Sequence, residues 1–124
     1  MSPSPYVVIA DDQADLADLL GEVVRSFGFD VGVCYDGISA RELIATHRPG
    51  AALLDVSMPG LSGYELASWL RGEAWGQTMR LLAFTGHSSE NEQLALREAG
   101  FDDVLLKPLG VEALRRALQC AAPA

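Results

Sequence analysis

The sequence predicts an α/β fold in which a parallel sheet is covered by helices on both faces. Three observations carry that reading. Short apolar runs alternate with segments of helical spacing along the whole chain. The run at residues 51–54 (AALL) is uncharged and bounded by Pro49-Gly50 before it and Pro59-Gly60 after it. Such a run reads as a strand buried on both faces, as parallel sheets require. Several runs also stop at chemically loaded residues, namely Asp11-Asp12, Asp55, Thr85 and Lys107. Open α/β sheets place their ligand sites at such carboxyl ends of strands.

Taken in order, residues 2–5 form a loose Pro/Ser lead, and residues 6–10 (YVVIA) form strand one, which stops at Asp11-Asp12. Asp12 is placed to cap a helix whose apolar positions are Leu16, Leu19, Leu20, Val23, Val24 and Phe27, with Gly28 as its stop. Residues 31–35 read as a second strand near a sheet edge, and Asp36-Gly37 turns the chain. Ile38, Leu43 and Ile44 mark a helix that must stop by Pro49. After the Asp55 strand, Ser62 and Glu65 have the three-residue spacing of a capping box, opening a helix that carries Tyr64, Leu66, Trp69 and Leu70. Residues 72–79 are a polar connector. Residues 80–84 (RLLAF) form strand four, ending at Thr85-Gly86. Ser89 and Glu92 repeat the capping spacing for a helix closed by Gly100. Residues 104–106 form strand five, ending at Lys107-Pro108, and residues 111–120 form a last helix with Leu114, Ala117 and Leu118 on one face.

Composition narrows the function. A chain of 124 residues with 49% hydrophobic content is expected to form one domain, residues 1–124, with residues 1–5 loose. No apolar run approaches the roughly 20 residues that span a membrane, and the N-terminus lacks the basic and apolar regions of a signal peptide. The expected location is cytoplasmic, with no membrane partner. The net charge is −8 and no basic cluster exceeds Arg115-Arg116, so direct nucleic-acid binding is not expected. Cys34 and Cys120 have no metal or redox spacing and read as reduced thiols. Eight arginines stand against a single lysine, Lys107. That contrast asks whether a compact ammonium is needed at that position.

In a doubly wound sheet, strands one, three, four and five converge on one crevice. Three carboxylates, a hydroxyl and an ammonium would meet there. Clustered carboxylates need a counter-charge, and an all-oxygen set suits Mg²⁺, which keeps room for a phosphate oxygen. Asp55 is then the candidate nucleophile, forming an acyl phosphate. Taken singly, each residue also has an ordinary reading: Asp11 and Asp12 as helix caps, Asp55 and Thr85 as loop residues, Lys107 as a surface lysine. The joint arrangement is what argues for a site.

Asp11-Asp12, the run LLDVSMPGLSGYEL around Asp55, Thr85-Gly86 and Lys107-Pro108 together resemble the receiver domain of bacterial two-component response regulators, of the chemotaxis-regulator type. The resemblance spans essentially the whole chain. It implies a flavodoxin-like sheet in the order 2-1-3-4-5. It implies phosphotransfer onto Asp55 from a histidine kinase, a phosphotransfer protein or a small donor such as acetyl phosphate. By position, Asp12 matches the direct Mg²⁺ (or Mn²⁺) ligand, Asp11 the acid acting through water, and Ser57 the residue whose backbone carbonyl meets the metal. Thr85 matches the switch hydroxyl and Lys107 the phosphoryl-binding ammonium. Ser57, Gly86 and His87 occupy positions that tune phosphoryl lifetime, although an exposed loop histidine is the simpler reading of His87. The Lys107-Pro108 bond is expected to be cis. Such a domain is a signalling phosphoacceptor that catalyses only its own phosphorylation and dephosphorylation. Its implied readout surface is helix four, strand five and helix five, presented to a downstream protein or output domain.

One position departs from the family pattern. Many receivers carry an aromatic residue three before the lysine, whose ring follows the threonine. Here that residue is Val104, which has no ring to swing. Other classes fit less well. A haloacid-dehalogenase-type phosphatase needs an acid where Ser57 stands. In a flavodoxin, Asp11-Asp12 would repel the flavin phosphate. A phosphorylation-independent interaction module, or pseudo-receiver, is the alternative, though it would have no need of the acids and the lysine.

Overall fold

The computed structural model describes residues 6–86, 89–107 and 110–119. Five strands, β1 (Tyr6–Ala10), β2 (Asp30–Cys34), β3 (Ala51–Asp55), β4 (Arg80–Thr85) and β5 (Asp103–Leu106), alternate with α1 (Ala14–Ser26), α2 (Gly37–His47), α3 (Gly63–Gly72), α4 (Glu90–Ala99) and α5 (Val111–Gln119). The strands form one parallel sheet in the order β2-β1-β3-β4-β5. The expected flavodoxin-like order is therefore present, and β2 is an edge strand as its loose pattern predicts.

The period-two alternation of the central strands divides the core. Val7, Ile9, Ala51, Leu53, Leu82 and Phe84 pack with Ala17, Leu20 and Val24 of α1 and Leu114 and Leu118 of α5. Val8, Ala10, Ala52, Leu54, Leu81 and Ala83 face the other way, onto Ile44 of α2, Leu66 and Leu70 of α3 and Leu96 of α4. The chain thus leaves β1 towards one face and β3 towards the other. Between these two departures lies a topological switch point, open at the carboxyl ends of β1 and β3.

Local details depart from the sequence reading in three places. Asp12 does not cap α1: Gln13 holds the N-cap position without a side-chain cap bond. Asp11 Oδ1 instead accepts the Gln13 backbone N–H at 2.9 Å, closing a turn that leaves Asp12 exposed. Leu19 is 56% and Ile38 55% exposed, so neither belongs to the core stripe of its helix. In α1 that stripe is Ala17, Leu20, Gly21 and Val24, and a side chain at Gly21 would run into Val33 of β2. The polar connector after α3 also contains a single 3-10 turn (Ala74–Gly76) that the sequence does not announce.

Asp36, read from the sequence as a turn residue, also caps α2 by accepting the Ser39 N–H at 2.7 Å. The starts of α3 and α4 follow their signals. Ser62 and Glu65 form the reciprocal capping box of α3. Ser89 accepts the Glu92 N–H at 3.2 Å at the start of α4. No helix among the described residues is long and apolar enough to cross a membrane.

Candidate functional site

Asp55 ends the strand that is buried along its full length, and strand pairing sets it opposite Phe84 of β4. Asp11 continues β1 by one residue, its N–H donating to the Cys34 carbonyl at 3.2 Å. At the far side, the Lys107 N–H donates to the Thr85 carbonyl at 2.8 Å, which ties the ends of β4 and β5 together. Backbone pairing alone therefore delivers Asp11, Asp55, Thr85 and Lys107 to one end of the sheet.

Asp11 is fully buried and Asp55 is 7% exposed; they are the only buried polar or charged residues among those described. Such groups are tolerated only when paired or ligated. Lys107 Nζ lies 2.9 Å from Asp11 Oδ2 and 3.7 Å from Asp55 Oδ2. The same ammonium sits 5.0 Å from the centre of the Phe84 ring. Among the described residues, the Lys107 ion pair is the compensation that Asp11 Oδ2 finds. Asp55 Oδ1 accepts the Ser57 N–H at 3.3 Å. Burial and the neighbouring Asp11 charge push the Asp55 carboxyl up to about 6, and a hydrogen bond with Asp12 pushes the same way, against Lys107 and the Ser57 N–H.

Asp11, Asp12 and Asp55 each place a carboxylate oxygen within 4.8 Å of the other two. Three ionised carboxylates facing one ammonium leave two negative charges uncompensated. A hard divalent cation would cancel that excess, and the oxygen-only donor set fits Mg²⁺.

Each site residue expected from the sequence can now be located. Lys107 pairs with Asp11 and Asp55, Asp12 brings a carboxylate oxygen within 4.8 Å of theirs, the Thr85 carbonyl accepts the Lys107 backbone N–H, and Ser57 reaches Asp55 through its N–H. A side chain at Gly86 would meet nothing within 4 Å. His87, Pro108 with the expected cis bond, and Cys120 lie outside the described residues. Two contributors escape the sequence reading. Gln13 orients Asp11 through a backbone donor, which no residue type can signal. Phe84 supplies the ring beneath the ammonium, and its only mark is its place directly before Thr85.

The loop after β3 is held by close backbone contact. The Gly37 N–H donates to the Pro59 carbonyl at 3.1 Å, and a side chain at Gly37 would collide with the Leu61 carbonyl. An apolar cleft of about 550 Å³ opens beside Lys107 between α1 and α5, bounded by Leu16, Leu20, Phe84 and Leu114.

Comparison with known proteins agrees with this geometry. The family profile described as response regulator receiver domain matches residues 7–119. The response regulator MprA of Mycobacterium tuberculosis is 36% identical over 111 residues, which cover 90% of this chain and 47% of that protein. The chain thus spans about half the length of the curated relatives it matches. Among solved structures, the receiver domain of the sensor histidine kinase PA1611 from Pseudomonas aeruginosa, with a magnesium ion in its active-site cleft, superposes with a TM-score of 0.85 at 26% identity, covering 94% of this chain and 96% of that one. The chemotaxis response regulator CheY4 of Vibrio cholerae shares the fold, with a TM-score of 0.88 at 23% identity over 96% of this chain and 99% of that one.

Proposed function

Since the chain belongs to the response regulator receiver domain family of two-component signalling, we propose that Asp55 accepts a phosphoryl group from a histidine kinase or phosphotransfer protein, and that residues 1–124 act as one such receiver in the cytoplasm. The observation that carries this reading is the Lys107 ammonium set between Asp11 and Asp55 at the mouth of the switch-point crevice.

An Asp55 carboxylate oxygen attacks phosphorus and forms an O–P bond. The P–N bond to the donor imidazole breaks, and its electron pair stays on that nitrogen. With acetyl phosphate, a P–O bond breaks and acetate leaves. The Ser57 N–H holds one Asp55 oxygen and so presents the other. Lys107 and the Thr85 hydroxyl stabilise charge on the transferring oxygens. Asp11, Asp12, Asp55 and the Ser57 carbonyl would hold Mg²⁺ (or Mn²⁺), which when bound neutralises the carboxylates and the phosphoryl oxygens. In hydrolysis water attacks phosphorus, the Asp55 O–P bond breaks with its electron pair left on the carboxylate, and inorganic phosphate departs. Ser57, Gly86 and His87 tune that lifetime.

Phosphorylation biases two conformations through new contacts to Thr85 and Lys107. The readout surface is α4, β5 and α5. Leu94 and Leu106 are 58% and 47% exposed there, and Arg115 is exposed and pairs with Glu112 at 3.5 Å. Leu96 is buried and serves the core. The surface is read by a downstream protein or an output domain.

Intact mass after incubation with acetyl phosphate and Mg²⁺ tests the proposal, with Asp55→Asn and a chelator as controls. One phosphoryl adduct requiring both Asp55 and the metal is expected. No adduct from either acetyl phosphate or a phosphorylated kinase would leave a phosphorylation-independent docking module instead.

A further inference from the structure

We propose that the α2–α3 face, where Arg41 and Arg48 lie over Trp69 and Trp75, is a docking surface for a short acidic segment of a partner protein. The Arg41 guanidinium carbon is 5.2 Å from the centre of the Trp69 ring, and that of Arg48 is 4.8 Å from the Trp75 ring. The two rings meet edge-on with their centres 5.9 Å apart. Both rings are half-buried and both arginines are exposed.

Elsewhere on the molecule, Arg71, Arg97 and Arg115 are paired with Asp102, Asp103 and Glu112. Among the described residues, neither the Arg41 nor the Arg48 guanidinium meets a carboxylate within 4.0 Å or donates a hydrogen bond. A guanidinium lying over a ring keeps its in-plane N–H donors at its edge, where a carboxylate binds in bidentate fashion. The two aromatic rings thus hold two cationic forks in place with their donors unspent.

The backbone supplies an independent sign. Arg48 closes α2 in the left-handed region, φ 45° and ψ 64°, its N–H donating to the Ile44 carbonyl at 2.8 Å. It is the only non-glycine residue with positive φ among those described. Glycine or asparagine fills that position without strain. An arginine at this helix C-cap instead places a cation over Trp75 at some conformational cost.

Charge selects the occupant. The chain carries −8 overall, so a long polyanion laid across it would be repelled beyond the patch. A short segment offering a pair of carboxylates matches the two guanidiniums in charge and in donor geometry. The patch contains none of the residues assigned to phosphoryl transfer, so it works whether or not Asp55 is phosphorylated.

Trp69 and Trp75 are the two tryptophans of the chain, so its emission reports on this patch. The test titrates the full chain at low salt with short poly-L-glutamate. A saturable emission change is expected, weakened about tenfold or more in the Arg41→Gln/Arg48→Gln double variant and by raised salt. Arg48→Gly, which relieves the backbone strain, should melt no lower than the parent yet bind the probe more weakly. The proposal is overturned by an equal response to poly-L-lysine, or by an unaltered response in the double variant. A lower melting point for Arg48→Gly with an intact response would make Arg48 a packing residue only. Tighter binding of single-stranded DNA of equal charge, or an emission change on dilution of the chain alone, would assign the patch to nucleic acid or to a second copy.

Discussion

Lys107 sits closer to Asp11, at 2.9 Å, than to Asp55, at 3.7 Å. In the absence of metal the ammonium therefore serves mainly as the counter-charge of a fully buried carboxylate. Lys107→Ala should remove that counter-charge and destabilise the metal-free protein by about 2 kcal/mol, less than a wholly buried pair because the lysine is 19% exposed. Millimolar Mg²⁺ should recover part of the loss while phosphoryl uptake stays slower by about a hundredfold or more. Equal melting temperatures for variant and parent in chelator would contradict this account.

Asp55 makes metal-free stability depend on pH. Its folded pKa of about 6 lies above the unfolded value of 3.8, so the folded state binds the proton more tightly. The resulting stabilisation is complete below the unfolded pKa and is lost as pH rises through the folded pKa. Above that window the ionised carboxylate is a net cost. Asp55→Asn should thus be more stable than the parent at neutral pH, by about 1–3 kcal/mol, with the gap closing near pH 4. Urea denaturation in chelator across this range measures it, and a gap that widened towards acid would reverse the sign of the argument.

Arg71 anchors the far end of the sheet. It donates to the carbonyls of Gly100 at 2.9 Å, Gly76 at 2.7 Å and Met79 at 2.9 Å, and pairs with Asp102 at 3.0 Å. Asp102 Oδ2 also accepts the Leu81 N–H at 2.8 Å. The C-terminal corner of α4 is thereby fastened to α3 and to the start of β4. Arg71→Met should cost about 2–4 kcal/mol of folding stability, since several partners lose their donor together. A double-mutant cycle with Asp102→Ala should show coupling of about 1 kcal/mol. Additive losses would mean that the two side chains act separately.

Val104 is half-buried and packs against the core under α2, α3 and α4. With no ring at this position, signalling should run through the segment after Thr85 and through α4. Most α4 side chains are exposed and Leu96 alone is fully buried, so beyond the Arg71 and Arg97 contacts at its C-terminal end the helix is lightly held. Binding of a phosphoryl analogue such as beryllofluoride should shift the backbone amide resonances of α4 and β5. Resonances that stay nearly unchanged there would rule this route out.

Much of the molecule was legible in its residues. The apolar runs determined the strands, because burial in a parallel sheet demands uncharged, β-branched or aliphatic sequence whatever the neighbours. Capping signals at Ser62 and Ser89 determined helix starts, because those bonds form within three residues. The acids, the threonine and the lysine could be named as one candidate site from their place at strand ends. Tertiary structure alone decided what depends on contacts distant in the chain. It exposed Leu19 and set Lys107 nearer Asp11 than Asp55. It also brought Arg48 over Trp75, 27 positions along the chain. A sequence specifies which side chains are offered, but a distance between two of them is fixed only when the sheet has set its register and the helices have packed upon it.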